Sequence, residues 1–191
     1  MNLIKTIMCS ALLAGLASSA SAAIVYATDV VEANRGTILP DPADDTLRDD
    51  PMDALGSPDG VFYSLGLGGD VTLSFGETFG SGGGNVSAYE ITFGDIAAYP
   101  ESIFIEAYLD GVKVGDVGTL TNEDAQGGGT LLFAGMFNQL KLTDTTPDGP
   151  STDGFDLDAV GVQPVPLPAA GLLLLGGLAG MGALRRRQKK A

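Results

Sequence analysis

The residues best suited to chemistry lie in "DTTPDGPSTDGFDLD", where Asp144, Asp148, Asp153, Asp156 and Asp158 crowd a glycine- and proline-bent stretch. Calcium takes roughly six to eight hard oxygen ligands at about 2.3–2.6 Å, and a flexible acidic loop supplies them. The spacing is not that of an EF-hand. Asp156 and Asp158 also alternate with Phe155 and Leu157, as they would on a strand with one wet face. Two readings therefore stand side by side, a calcium site at these five residues and an acidic loop running into a strand. Composition narrows the rest. The chain has no histidine, and its one cysteine, Cys9, lies in an amino-terminal segment expected to be removed. Ser-His-Asp and Cys-His catalysis are thereby excluded, with the usual zinc and copper sites. Glycoside hydrolysis needs only a carboxylate pair, but a chain with 24 acids supplies pairs by abundance alone. Such acids ordinarily form a solvated surface, so the expectation is a protein that is not an enzyme. Tryptophan is absent. Tyr63, Tyr89, Tyr99 and Tyr108 are then the aromatic rings that could serve as a sugar platform, against their ordinary role of packing at a sheet edge.

Charge is unevenly placed. All 24 acids fall between Asp29 and Asp158, where only Arg35, Arg48, Lys113 and Lys141 oppose them, leaving −20 on that span. A body of that charge repels nucleic acid, and repels anionic polysaccharide unless divalent cations intervene. No nucleic-acid partner is expected.

The elements that must position these residues read as strands throughout. "IVYATDV", "DVTLSF", "VSAYEITF", "SIFIEAYL", "VKVGDV", "TLLFA", "FNQLKL" and "FDLDAVGV" are short runs rich in β-branched and aromatic residues, bounded by Gly, Pro, Asp or Asn. In "FIEAYLDGVKVGDV" the pair Asp110-Gly111 predicts a type I′ hairpin. Ile103, Ile105, Ala107 and Leu109 would share one face, and Phe104, Glu106 and Tyr108 the other. No stretch of the body shows sustained helical periodicity. About eight strands at this spacing predict an all-β fold, a two-sheet sandwich or jelly roll. The acidic, proline-punctuated segment 40–59 reads as a loop or crossover, and the glycine runs at 80–85 and 127–129 as flexible loops.

Both ends of the chain differ from this body. Residues 1–22 have a short n-region with Lys5, an apolar stretch to Leu16 and small residues up to Ala22, the layout of a cleaved secretory signal peptide. At the other end, residues 169–184 form an unbroken run of 16 apolar or glycine residues. As a helix this spans about 24 Å at 1.5 Å per residue, slightly short of a hydrocarbon core of roughly 30 Å. Arg185, Arg186, Arg187, Lys189 and Lys190 follow at once and would hold the carboxyl terminus in the cytoplasm. Pro166 and Pro168 keep the preceding residues extended at the outer surface.

The order Val165-Pro166-Leu167-Pro168-Ala169, then a leucine- and glycine-rich span, then an arginine cluster, resembles the VPLPA-CTERM sorting signal. That signal is a variant of the PEP-CTERM signal of bacterial proteins handled by exosortases. The resemblance covers about a seventh of the chain. It implies export, transient retention in the inner membrane and cutting near the motif by an exosortase-type enzyme, often in bacteria that build an extracellular polysaccharide matrix. It implies nothing about the activity of the cargo. The expected organisation is a signal peptide at 1–22, an exported β-sandwich at 23–163 and a sorting segment at 164–191. The first functional reading is a non-enzymatic protein of the cell surface or extracellular matrix. A secreted carbohydrate-binding module and a carbohydrate-active enzyme are the alternatives, with extracellular polysaccharide as a partner and Ca2+ as the one cofactor considered.

Overall fold

Alternation of apolar and polar side chains becomes ten strands. They are β1 (Val25–Tyr26), β2 (Asp29–Asn34), β3 (Tyr63–Ser64), β4 (Asp70–Phe79), β5 (Gly84–Glu90), β6 (Ser102–Leu109), β7 (Val112–Thr121), β8 (Gly129–Phe133), β9 (Phe137–Asp144) and β10 (Asp156–Pro164). The computed structural model describes residues 22–39, 48–92, 95–126, 128–149 and 151–165. Of the expected signal peptide at 1–22 all but Ala22, and of the expected sorting segment residues 166–191 with the apolar span 169–184 and the cations at 185–190, lie outside the described residues. Among the described residues no helix is long and apolar enough to cross a membrane.

Two antiparallel sheets face each other. One has the order β1-β10-β5-β8, with β3 also paired to β10; the other has the order β2-β4-β9-β6-β7. The predicted sandwich is thus observed, with ten strands among the described residues where about eight were expected. The run "IVYATDV" divides at Ala27-Thr28 because the chain changes sheets there. Ala27 donates its N–H to Val160 O in one sheet, and Thr28 to Ser74 O in the other. The two-residue β3 is too short to carry a periodic signal. Elsewhere the pattern holds. Ile103, Ile105 and Ala107 are fully buried, and Asp110 and Gly111 have φ of 51° and 80°, the two positive values that a type I′ turn requires. The glycine runs are less loose than expected, since Gly84 opens β5 and Gly129 opens β8.

Registers fix which connections meet. Asn34, Asp70, Ser102, Thr121 and Asp144 sit at one end of their sheet, and Ser64, Glu90, Gly129 and Asp156 at the same end of the other. Over this end close the connections 65–69, 91–101, 122–128 and 145–155, of 5, 11, 7 and 11 residues. At the opposite end the connections 80–83, 110–111 and 134–136 have only two to four. The tight end is plugged by Phe75, Phe79, Phe137 and Phe133, whose successive ring centroids lie 5.3, 4.8 and 5.5 Å apart. Each such aromatic pair adds about 0.5–1.5 kcal/mol beyond its area burial. The chain also enters and leaves here. Gln163 Nε2 donates to Ala22 O at 3.1 Å, and Val165 N–H to Gly83 O at 3.2 Å. The folded body therefore runs slightly past the expected boundaries, as the unit Ala22–Val165. Val165, the first residue of the expected sorting motif, belongs to it.

Candidate functional site

The five acids singled out in the sequence all reach the loop end, where the fold engages four of them individually. Asp144 accepts from Gly68 N–H (2.9 Å), Phe155 N–H (3.0 Å), and Thr146 through both its hydroxyl (2.6 Å) and its N–H (3.3 Å). Asp158 accepts from the N–H groups of Asp59 (3.1 Å) and Gly60 (3.3 Å). Asp153 takes the Arg48 guanidinium at 2.8 Å, and Asp156 accepts the Ser64 hydroxyl with Arg48 3.9 Å away. Asp148 is exposed. Among the described residues no three acids converge into a set that could hold a metal ion. The positive charge that the structure brings to Asp153 and Asp156 is Arg48, which comes from the segment that the sequence left as loop.

A cavity of about 360 Å³ opens beside these loops. Its apolar side is Ile96, Ala97, Pro100 and Pro147; its polar side is Glu101, Ser102, Thr121, Asn122 and Glu123. Two short capped turns hold it. Ile96–Ala98 is a 3-10 turn whose N-cap, Asp95, accepts from Ala97 N–H at 3.1 Å. Asn122–Ala125 is a single helical turn, α1, closed by a capping box between Thr121 and Asp124. Asn122 ties the two together. Its Nδ2 donates to Tyr99 O (2.7 Å) and Thr92 Oγ1 (3.2 Å), its Oδ1 accepts from Glu101 N–H (3.2 Å), and its own N–H reaches Glu101 O (3.0 Å). That side chain is scaffold, since its bonds are spent before any ligand arrives. The absence of helical periodicity hid α1, because one turn is too short to show it. The capping pattern Thr121-x-x-Asp124 was the signal that marked it.

Behind the cavity lies a set of buried acids, of which sequence reasoning singled out Asp156 and missed Glu101 and Glu90. Glu101 is 7% exposed and accepts the Ser151 hydroxyl at 2.8 Å. Burial pushes its carboxyl up to about 9; Ser151 opposes the shift, and the charges of Asp156, Glu90 and Asp153 add to it. Burial also raises Glu90, against hydrogen bonds from Thr92 and Gln126. Asp156 is pushed up to about 8 by burial and by Asp153, against Ser64 and Arg48. Arg48 lies closer to Asp153, so that carboxylate takes most of the guanidinium's charge. Burial thus favours the neutral form of Glu101 and Asp156 at neutral pH.

Of the four tyrosines, Tyr63 is buried, and Tyr89 is half-buried with its ring 6.2 Å from that of Tyr26. Tyr108 is half-buried beside Glu106. Tyr99, 44% exposed and next in the chain to the lining Pro100, is the one presented to solvent at the cavity end.

No family model matches the chain, and no curated protein matches it. Solved structures do. The C-terminal domain of a chitobiase from Bacteroides fragilis matches with a TM-score of 0.50 and 12% identity, over 72% of this chain and 93% of that one. The CBM32 of AlyQ in complex with 4,5-unsaturated mannuronic acid matches with 0.43 and 15%, over 71% and 96%. The family 32 CBM from C. perfringens NanJ in complex with galactose matches with 0.44 and 14%, over 74% and 91%. The likeness to the chitobiase domain shows a shared fold and nothing of ligand.

Proposed function

We propose that the chain is an exported, non-catalytic carbohydrate-binding protein. This moves the second sequence reading ahead of the first. The observation that carries it is the cavity at the loop end, with an apolar side of Ile96, Ala97, Pro100 and Pro147 facing carboxyl, hydroxyl and amide groups. A pyranose has the matching shape, a C–H face and an edge of hydroxyls, and small-ligand sites combine apolar walls with a few fixed polar groups. The solved structures of like fold include sugar-binding modules by name, which fits this reading without carrying it. The setting comes from the ends of the chain. The signal-peptide layout at 1–22 and the VPLPA-CTERM-like segment support a body outside the cell, reached by passage through the inner membrane and cutting by an exosortase-type enzyme. The sandwich then acts at the cell surface or in an extracellular polysaccharide matrix, and its chain leaves it at the end opposite the cavity.

A glycan array probed with protein recovered from the native host tests the reading. Binding to at least one immobilised saccharide is expected. Ala97→Trp, which fills the cavity from an exposed turn, should abolish it at an unchanged melting temperature. An empty array, or binding that ignores Ala97→Trp, overturns the proposal.

A further inference from the structure

Four cations are available to the body, and none lines the cavity. Arg48 reaches Asp153, Lys141 reaches Asp70 at 3.1 Å, and Lys113 contacts Glu106 and Asp116. Arg35 donates Nε–H to Ser64 O. The lining instead holds two carboxyls. Glu123 makes no side-chain hydrogen bond or ion pair among the described residues, whereas Glu101, also a lining residue, is buried and held by Ser151. Asp95 and Asp124, neighbours of lining residues in the chain, add negative charge as turn caps. Asn122 has spent its donors on Tyr99 O and Thr92, and the Ser102 hydroxyl is engaged with Thr145. What the cavity offers a ligand is therefore mainly acceptors in a negative field, which favours positive groups and repels carboxylates and sulfates.

Resting on the saccharide reading above, we propose that the ligand of this cavity is an amine-bearing saccharide, an oligomer of deacetylated 2-amino-2-deoxyhexose bound through its ammonium groups to Glu123 and Glu101. Glu123 supplies the exposed carboxylate. Glu101, neutral at pH 7 in the free protein, ionises as the ammonium arrives, and its proton leaves to solvent. The groups facing Glu101 are Asp156 on β10, Glu90 on β5 and Asp153 in the β9–β10 connection. All are acids, and since Arg48 already answers Asp153 and Asp156, an incoming cation relieves chiefly Glu101.

Calorimetry at pH 6 on protein recovered from the native host tests this with a glucosamine hexamer, its fully N-acetylated counterpart, a hexuronate oligomer of equal length, and tetralysine. The glucosamine hexamer should bind on the order of tenfold tighter than the acetylated form, with proton release detectable across buffers, and the uronate should not bind. Glu123→Gln should reduce that preference roughly fivefold, the scale of one partly exposed charge pair. Glu77→Gln, an exposed acid at the tight end, should leave it unchanged. Equal or better binding of the acetylated or uronate oligomer overturns the ligand class and keeps the saccharide reading. Equal losses in the Glu123 and Glu77 variants, or tetralysine binding as tightly as the hexamer, reduce the effect to bulk charge and overturn it as well. Binding of no saccharide at all defeats the saccharide reading itself.

Discussion

Glu101 couples the cavity to the stability of the sandwich. An acid whose folded-state pKa lies above its unfolded value keeps, in the native state, a proton that the unfolded chain has lost. Stability is then highest below the unfolded value, 4.5 for Glu101, falls as pH climbs toward about 9, and levels off above it. Asp156 acts in the same direction between 3.8 and about 8. The melting temperature is therefore expected to fall from pH 5 to pH 9, each such group contributing at most about 1.4 kcal/mol per pH unit. Glu101→Gln retains the shape without the charge and should flatten that slope. Thermal melts across this range check it, and parallel slopes for wild type and variant would show that the buried charge of Glu101 does not limit stability. Asp156 was singled out beforehand as a calcium candidate, but Glu101 was not. "PESIF" reads as the polar lead into a strand, and only its closure under Ser151, 50 positions away, makes Glu101 an interior acid.

At the scale of elements, the connection from β9 to β10 carries the acids that suggested calcium. Gly154 pins it: its φ is +70°, and a Cβ there would stand 2.8 Å from Asp144 Oδ1 and 2.9 Å from the Gly66 backbone. The same approach lets Phe155 N–H reach Asp144, so this carboxylate organises the loop through protein donors. Calcium, proposed from the sequence, would have to bind at Asp153 and Asp156 in competition with the Arg48 guanidinium. It should then raise the melting temperature more in Arg48→Ala than in wild type, and not at all once Asp153→Ala is added. At a hundred times its dissociation constant one ion adds about 2.7 kcal/mol, or roughly 5–11 °C for a domain of this size. Equal concentrations of magnesium control for screening, and a rise identical for both ions would eliminate the site. Strand β6 and its two-residue turn, by contrast, were readable to the residue, while β7 runs on to Thr121 past the expected run. Alternation and a two-residue turn are local properties, and local chemistry decides them.

For the whole molecule, the entry at Ala22 and the exit at Val165 share the tight end, while the cavity occupies the other. Removing either terminal segment should leave the ladders intact, since the last strand ends at Pro164. Intact-mass measurement on protein from the native host should show loss of the 22 residues before Ala23 and truncation near residues 168–170. Retention of Arg185, Arg186, Arg187, Lys189 and Lys190 on most molecules would overturn the processing and leave a membrane anchor. The amino-acid sequence by itself determined the β class, the hairpin at Asp110-Gly111, the acidity of the body and the expectation of export. These follow from period, dipeptide chemistry, charge and the order of terminal segments, all of which are local or additive along the chain. Tertiary structure alone decided that Ala97, Glu101, Asn122 and Pro147 face one cavity, that Arg48 answers Asp153 from 105 positions away, and that Asp144 and Asp158 serve backbone donors. Those outcomes depend on sheet order and register, which bring distant loops to one end and set how much water each carboxyl keeps.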